Sequence, residues 1–250
     1  MIDVWQACSP QVEPGALSGT LLRLVESQED IATLALVSTL EEQAELERLL
    51  EESKPPLPDG CARLHYLLAT PFRYPPLRHG SRFGTRFEPS LFYGSRRRET
   101  VLAEAAFYRF VFWFGMRVPP PNKLVTAHAM FSARYRTAQG LALHAAPFDA
   151  FRDVLASRSD YAVTQQLGRD MRAAGVEAFE FVSARDPAGG SNVALFSARA
   201  LATTRPGNSS QWLCETDGER VAFVERGTPA LSAWQLAVFL VEGVLPAPAG

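Results

Sequence analysis

Two hydrophobic periods run through this chain, one near 3.6 residues and one of two, and proline clusters separate the stretches that follow each. Residues 1–17 carry Pro10 and Pro14 and read as irregular. Gly19 to Lys54 reads as two helices. In the first, Ser27 caps a turn bearing Ile31, Leu34 and Ala35, with Asp30 three residues on. In the second, Thr39 and Glu42 form a capping box ahead of Leu46, Leu49 and Leu50 at helical spacing. Pro55, Pro56 and Pro58 stop that helix and make the sharpest boundary in the chain.

Beyond the boundary the period shortens. Leu64, Tyr66 and Leu68 alternate, so Arg63–Thr70 reads as a strand. A loop rich in Pro, Gly and Arg covers Pro71 to Pro89, and Ser90–Tyr93 reads as a short strand. Thr100–Phe114 reads as a helix with Val101, Leu102, Ala105, Tyr108 and Phe112 along an apolar stripe, broken by Pro119 to Pro121. Leu124–Arg136 alternates cleanly: Val125, Ala127, Ala129, Phe131, Ala133 and Tyr135 on one face, Thr126, His128, Met130, Ser132 and Arg134 on the other. Leu141–His144 is placed to pair with it across a turn at Thr137–Gly140. Two helices follow at Ala150–Leu155 and Tyr161–Ala174, the second with Gly175 as its C-cap. Strands are expected at Val176–Ser183 and Asn192–Phe196, a hairpin at Trp212–Thr216 and Arg220–Glu225, and a closing helix at Ser232–Val244. Helices and strands mix without regular βαβ alternation, so the predicted class is α+β.

With 250 residues and 47% hydrophobic content, the chain can bury a substantial core. No apolar run reaches the roughly 18 residues of a membrane span, and the first residues lack a signal-peptide pattern. Cys8, Cys61 and Cys214 are odd in number and widely spaced, which argues against a disulfide framework and a zinc site. A cytoplasmic, membrane-free protein is the expectation. Charge is unevenly spread. Residues 1–60 hold twelve acids and three bases, whereas Phe72–Arg109 holds eight arginines and three carboxylates. The acidic stretch is compatible with a docking element or with a solvated helical face. The arginine segment suits a phosphate-bearing ligand, because guanidinium pairs bidentately with phosphate, and equally suits a solvated basic face.

Several chemistries find no motif. There is no GxGxxG after a strand, no P-loop, no HExxH and no GxSxG elbow. His65, His79, His128 and His144 lack metal-ligand spacing, so no metal site is expected. One basic segment in a chain of pI near 6.1 does not suggest direct nucleic-acid binding. One glutamate stands out chemically. Glu104 sits among Ala103, Ala105 and Ala106 in the apolar helix, where a carboxylate must be hydrogen-bonded or face a polar cleft.

An ordered set of residues surrounds it: Arg73–Tyr74, the turn RFGTRFEP from Arg82 to Pro89, Tyr93, Glu104, and FVSARDPAGGSNVALF with Ser183 and Asn192. In that order, and with a Tyr93-to-Glu104 spacing of eleven, the sequence resembles the RES-domain proteins over roughly residues 64–225. Its turn reads GTRFEP where family members often have GGRWNP. The resemblance implies an ADP-ribosyltransferase-like mixed sheet with flanking helices. Around that domain at 61–226 it leaves an acidic helical extension at 1–60 and a C-terminal helix and tail at 227–250. It implies a bacterial toxin of a toxin–antitoxin pair, held by an Xre/ParS-like antitoxin, that cleaves the nicotinamide–ribose bond of NAD⁺ as substrate. ADP-ribose then passes to phosphate or water, or in other members to a protein. No separate cofactor is implied. In this scheme Arg73, Tyr74, Arg86, Tyr93, Ser183 and Asn192 hold NAD⁺. Arg86 and Tyr93 also assist Glu104, which stabilises the ribosyl cation. A non-catalytic nucleotide- or partner-binding module remains an alternative for the arginine segment, and the acidic extension is also a candidate oligomerisation element.

Overall fold

A computed structural model describes residues 2–27 and 36–247. The element order is α1 (Val4–Cys8), β1 (Gly15–Glu26), α2 (Leu40–Ser53), α3 (Tyr66–Arg73), β2 (Phe92–Ser95), α4 (Arg98–Gly115) and β3 (Leu124–Ala142). It continues with α5 (Arg152–Leu155), α6 (Ala162–Ala173), β4 (Ala178–Val182), β5 (Ser191–Leu195), β6 (Gly207–Thr216), β7 (Arg220–Glu225) and β8 (Leu231–Gln235). Among the described residues the strands form one eight-stranded sheet in the order β1-β2-β5-β4-β3-β6-β7-β8. The β3–β4 pair is parallel and every other named pair antiparallel. Because β1 also pairs along β3, five strands close on themselves and β6–β8 extend from the outer edge of β3. This is an α+β architecture, the class the pattern predicted and one consistent with an ADP-ribosyltransferase-like core.

Five sequence expectations give way to the structure, the first being that residues 1–17, read as irregular, hold the capped helix α1 and the start of β1. Gly15–Glu26 is a strand, not a helix, and lies in register with β3 from Leu17↔Thr137 to Glu26↔His128, after a register shift from Gly15↔Gly140. Both its faces are covered: Leu17, Leu21 and Val25 enter one hydrophobic cluster, Leu22 and Leu24 another. An apolar run buried on both sides loses the alternation that marks a strand. The turn expected at Ser27–Ala35 lies, beyond Ser27, outside the described residues. The capped helix after it forms as predicted, with the reciprocal Thr39–Glu42 box in place.

Tyr66–Arg73 is a helix where a strand was expected. Leu68, Ala69 and Phe72 are buried while Tyr66 is 54% exposed, a helical distribution that overrides the local alternation. The imidazole Nδ1 of His65 accepts the Leu67 N–H at its start (3.3 Å). β3 runs unbroken through the predicted turn at Thr137–Gly140. Gly140 is there for proximity: a Cβ on it would lie 2.2 Å from the Leu17 side chain on β1. The predicted closing helix is instead β8 followed by a single 3₁₀ turn at Leu236–Val238. Beyond it Phe239 is fully buried and packs on Phe107 and Phe110 of α4.

These elements wrap α4, whose Leu102, Ala106, Phe107 and Phe110 fill the cluster shared with β6 and β7. Cys8, Cys61 and Cys214 are buried free thiols, and desolvation pushes each of them up from the usual thiol range. Among the described residues no helix is long and apolar enough to cross a membrane.

Candidate active site

One stripe of α4 builds one wall of a cavity of about 800 Å³. Val101, Glu104, Ala105, Tyr108, Arg109 and Phe112 line it, at spacings that keep them on one helical face. Of the apolar stripe read from the sequence, Val101, Ala105, Tyr108 and Phe112 therefore line the cavity. The opposite wall comes from the loop between α3 and β2, with Tyr74, His79, Ser81 and Arg82, and the floor from β1 and β2, with Arg23, Tyr93 and Ser95.

Glu104 is held by a chain of directed hydrogen bonds. Its Oε1 accepts from Ser183 Oγ and from Asn192 Nδ2, both at 2.6 Å. Neither donor is free to turn away. Asn192 Oδ1 accepts the Ser95 hydroxyl (2.6 Å), which fixes the amide with its nitrogen toward the carboxylate. Ser183 Oγ accepts the Arg185 and Asp186 backbone N–H groups (3.1 and 2.9 Å), so its own proton is left for Glu104. Ser95 and Asn192 are cross-strand partners of β2 and β5. The loop bearing Ser183 is pinned to the first turn of α4, where Thr100 Oγ1 donates to Asp186 Oδ2 (2.7 Å). A Cβ on Gly190 would lie 2.0 Å from Thr100 Oγ1, so this clamp leaves no room for a side chain there.

Tyr93 lines the cavity and ties down the loop opposite. Its hydroxyl accepts the Phe83 N–H (3.2 Å) and pairs with Ser81 Oγ (2.9 Å). Burial pushes the phenol up to about 12, so it stays neutral at ordinary pH. Tyr74 also lines the cavity and is half exposed. Ser183 does not line it and acts through Glu104.

Two arginines expected from sequence to hold the dinucleotide stand elsewhere. Arg86 lies over the ring of Phe87 (4.6 Å), outside the cavity lining. Arg73 is also outside it: Arg73 Nη1 pairs with Glu51 (2.7 Å) and Nε donates to the Pro55 carbonyl (2.5 Å), fastening α3 to the end of α2. In their place the cavity has Arg82, buried, with Nη1 donating to the Ser157 and Leu155 carbonyls (2.7 and 3.3 Å) and its guanidinium over the Tyr161 ring (4.4 Å). Tyr161 is itself fixed by Arg185, whose Nη2 donates to the phenol oxygen (2.9 Å). Nothing local in the sequence marks Arg23, His128 or Tyr161 as cavity residues, because tertiary structure brings them in from outside the motif.

A family model described as the RES domain matches residues 57–217. No curated protein matches the chain. The matched span takes in both walls of the cavity and every residue that holds Glu104, over well more than half of the 250 residues. The chain belongs to the RES-domain family.

Proposed function

We propose that this chain cleaves the nicotinamide–ribose bond of NAD⁺ and passes ADP-ribose to phosphate or water. The observation that carries the reading is the glutamate fixed by two short donors on the wall of a cavity of ligand size. Membership of a family associated with NAD-processing enzymes supports it. In the reaction the C1′–N bond breaks with its electron pair going to the pyridinium nitrogen, so nicotinamide leaves neutral. The positive charge left on the ribose is met by the Glu104 carboxylate, which Ser183 and Asn192 keep in one orientation. An oxygen of phosphate or water then bonds to C1′, and water gives up its proton on the way. Arg82, in place of Arg86, supplies the cationic wall of the loop side. Tyr93 holds the Ser81–Phe83 backbone that positions it, and Tyr74 lines the same side. Arg73 serves by anchoring α3.

A toxin role in the bacterial cytoplasm, with an Xre-like antitoxin as its partner, is the biological setting proposed with it. The deciding experiment incubates the purified full chain with NAD⁺, with and without phosphate, and follows nicotinamide release. Turnover that falls at least about a hundredfold in Glu104→Gln supports the reading. No release by antitoxin-free wild type, or undiminished release by Glu104→Gln, overturns it.

A further inference from the structure

The cavity holds two arginines on its β1 side that the reaction above leaves without a task. Arg23, on β1, donates from Nη1 to the Tyr93 carbonyl (2.6 Å) and lies over the Phe92 ring (5.1 Å). Its Nε is buried with no hydrogen-bond partner among the described residues. Burial draws this guanidinium down to about 10, which still leaves it charged at neutral pH. Arg109, on α4, is 8% exposed and donates from Nε to Thr216 Oγ1 (3.1 Å); its Nη2 is likewise buried and unpartnered among the described residues. Two cations lining one cavity, each with a buried donor left unspent, are an under-satisfied arrangement, since an unmade bond to a charged group leaves its desolvation uncompensated.

The partner Arg109 does have is a poor one. Glu26 Oε2 stands 3.6 Å from Nη1, beyond hydrogen-bond range, on a side chain that is 63% exposed. An exposed, loosely held ion pair of this kind contributes little and gives way to a better anion. Across the β1–β3 register Glu26 faces His128, which burial draws down to about 4, so no second cation there holds the carboxylate.

We infer that Arg23 and Arg109 form a phosphate subsite on the β1 side of the cleft, with Glu26 standing where a ligand phosphate binds. The subsite stands on these contacts alone. Its assignment to the pyrophosphate of the dinucleotide rests on the NAD⁺ reading. Five residues of helix put Arg109 about 7.5 Å along α4 from Glu104, on the same cavity-facing stripe. A ribose ring with its exocyclic carbon spans the gap between the scissile C1′ and the nearer phosphorus. With C1′ at Glu104, the phosphates therefore reach Arg109, and the guanidinium fork suits them geometrically.

The test titrates ADP and adenosine into the full-length wild type, Glu26→Gln and Arg109→Met by calorimetry, with folding checked by thermal denaturation. ADP affinity is expected to rise severalfold in Glu26→Gln and to fall about tenfold or more in Arg109→Met, with adenosine indifferent to both. In turnover, Arg109→Met is expected to raise KM for NAD⁺ about tenfold or more. ADP that fails to bind wild type, or binds Glu26→Gln no more tightly, overturns the subsite. So does an Arg109→Met effect that is equal for ADP and adenosine. If Arg109→Met does not fold, the Glu26→Gln titration decides alone. Should the ADP pattern hold while wild type cleaves no NAD⁺, the proposed reaction fails and the subsite stands. Should wild type cleave NAD⁺ while ADP affinity is indifferent to Glu26 and Arg109, the subsite fails and the reaction stands.

Discussion

Removing the amide of Asn192 isolates what the holder of Glu104 contributes. In the native site Nδ2 donates to Oε1 at 2.6 Å and Oδ1 is tied to Ser95, so the amide delivers one directed bond and nothing else to the carboxylate. A hydrogen bond to a charged group contributes about 1.5–3 kcal/mol, and each 1.36 kcal/mol is a factor of about ten in rate. Asn192→Ala is therefore expected to lower kcat/KM for NAD⁺ by about 10- to 150-fold, with kcat falling in step. Asn192→Asp tests direction as well as loss, because it sets a carboxylate oxygen where the donor stood. Like charges about 4 Å apart at an effective dielectric near 20 repel by about 4 kcal/mol, so the Asp variant should fall below the Ala variant. Ser183→Ala removes the second donor and also strands the Arg185 and Asp186 amides, so it should lower thermal stability as well as rate. The double variant should lose less than the sum, since both donors act on one oxygen. The assay is the initial rate of nicotinamide release at NAD⁺ well below KM. An Asn192→Ala enzyme within about twofold of wild type, or an Asp variant more active than the Ala variant, would refute the argument.

The two arginines of the RFGTRFEP turn should separate sharply: Arg82→Lys lowers kcat/KM by about tenfold or more, because a lysine cannot both bridge two carbonyls and lie over Tyr161, whereas Arg86→Ala leaves it within about threefold. His128 is held down to about 4 chiefly by burial, with Arg109 adding to it, so the fold favours its neutral form. That stability is fully present above about pH 6.5 and is lost as the pH falls toward about 4. The part lost between about pH 7.5 and about pH 5 is about 2 kcal/mol, and urea unfolding of His128→Asn should show correspondingly less pH dependence. Gly168 on α6 has the Phe83 carbonyl oxygen 2.1 Å from where a Cβ would go. Gly168→Ala should overpack this contact at about 1–3 kcal/mol, lowering Tm by about 2–12 °C and raising KM through the loop that carries Arg82.

Several elements were legible in the sequence. α4, α6, β4 and β5 form close to their expected bounds, and the hairpin of β6 and β7 forms where it was expected, with β6 starting earlier. β1 was illegible because both its faces are apolar, and a run such as Leu21-Leu22-Arg23-Leu24-Val25 fits a helix as well as a strand until its partner is known. That partner is β3, more than a hundred residues away in sequence. α3 failed for the opposite reason. Its alternation was clear, but the buried set Leu68, Ala69 and Phe72 is chosen by what packs on it, not by its neighbours in sequence. β8 was taken for a helix because Ser232–Val244 is apolar enough for either, and Trp234 settles the matter by packing on Phe223 of β7.

The site divides along the same line. Glu104 could be picked out because a carboxylate flanked by alanines in an apolar helix demands an explanation, and Ser183 and Asn192 proved to supply it. Arginines carry no such local signature. Eight of them within one segment left no way to choose, since each is equally cationic in sequence. Burial makes the choice in the structure: Arg82 is desolvated and aimed by two carbonyls, Arg73 is consumed by Glu51, and Arg86 lies on an exposed ring. The same criterion picks out Arg109 at the segment's last residue and reaches beyond the segment to Arg23 on β1. In the proposed reaction, the α4 stripe that presents Glu104 and Arg109 meets a ribosyl cation and a phosphate in a cavity whose floor includes β1, paired along β3. The long-range pairing that sequence could not reveal is therefore what turns a patch of arginines into a cleft with distinct ends.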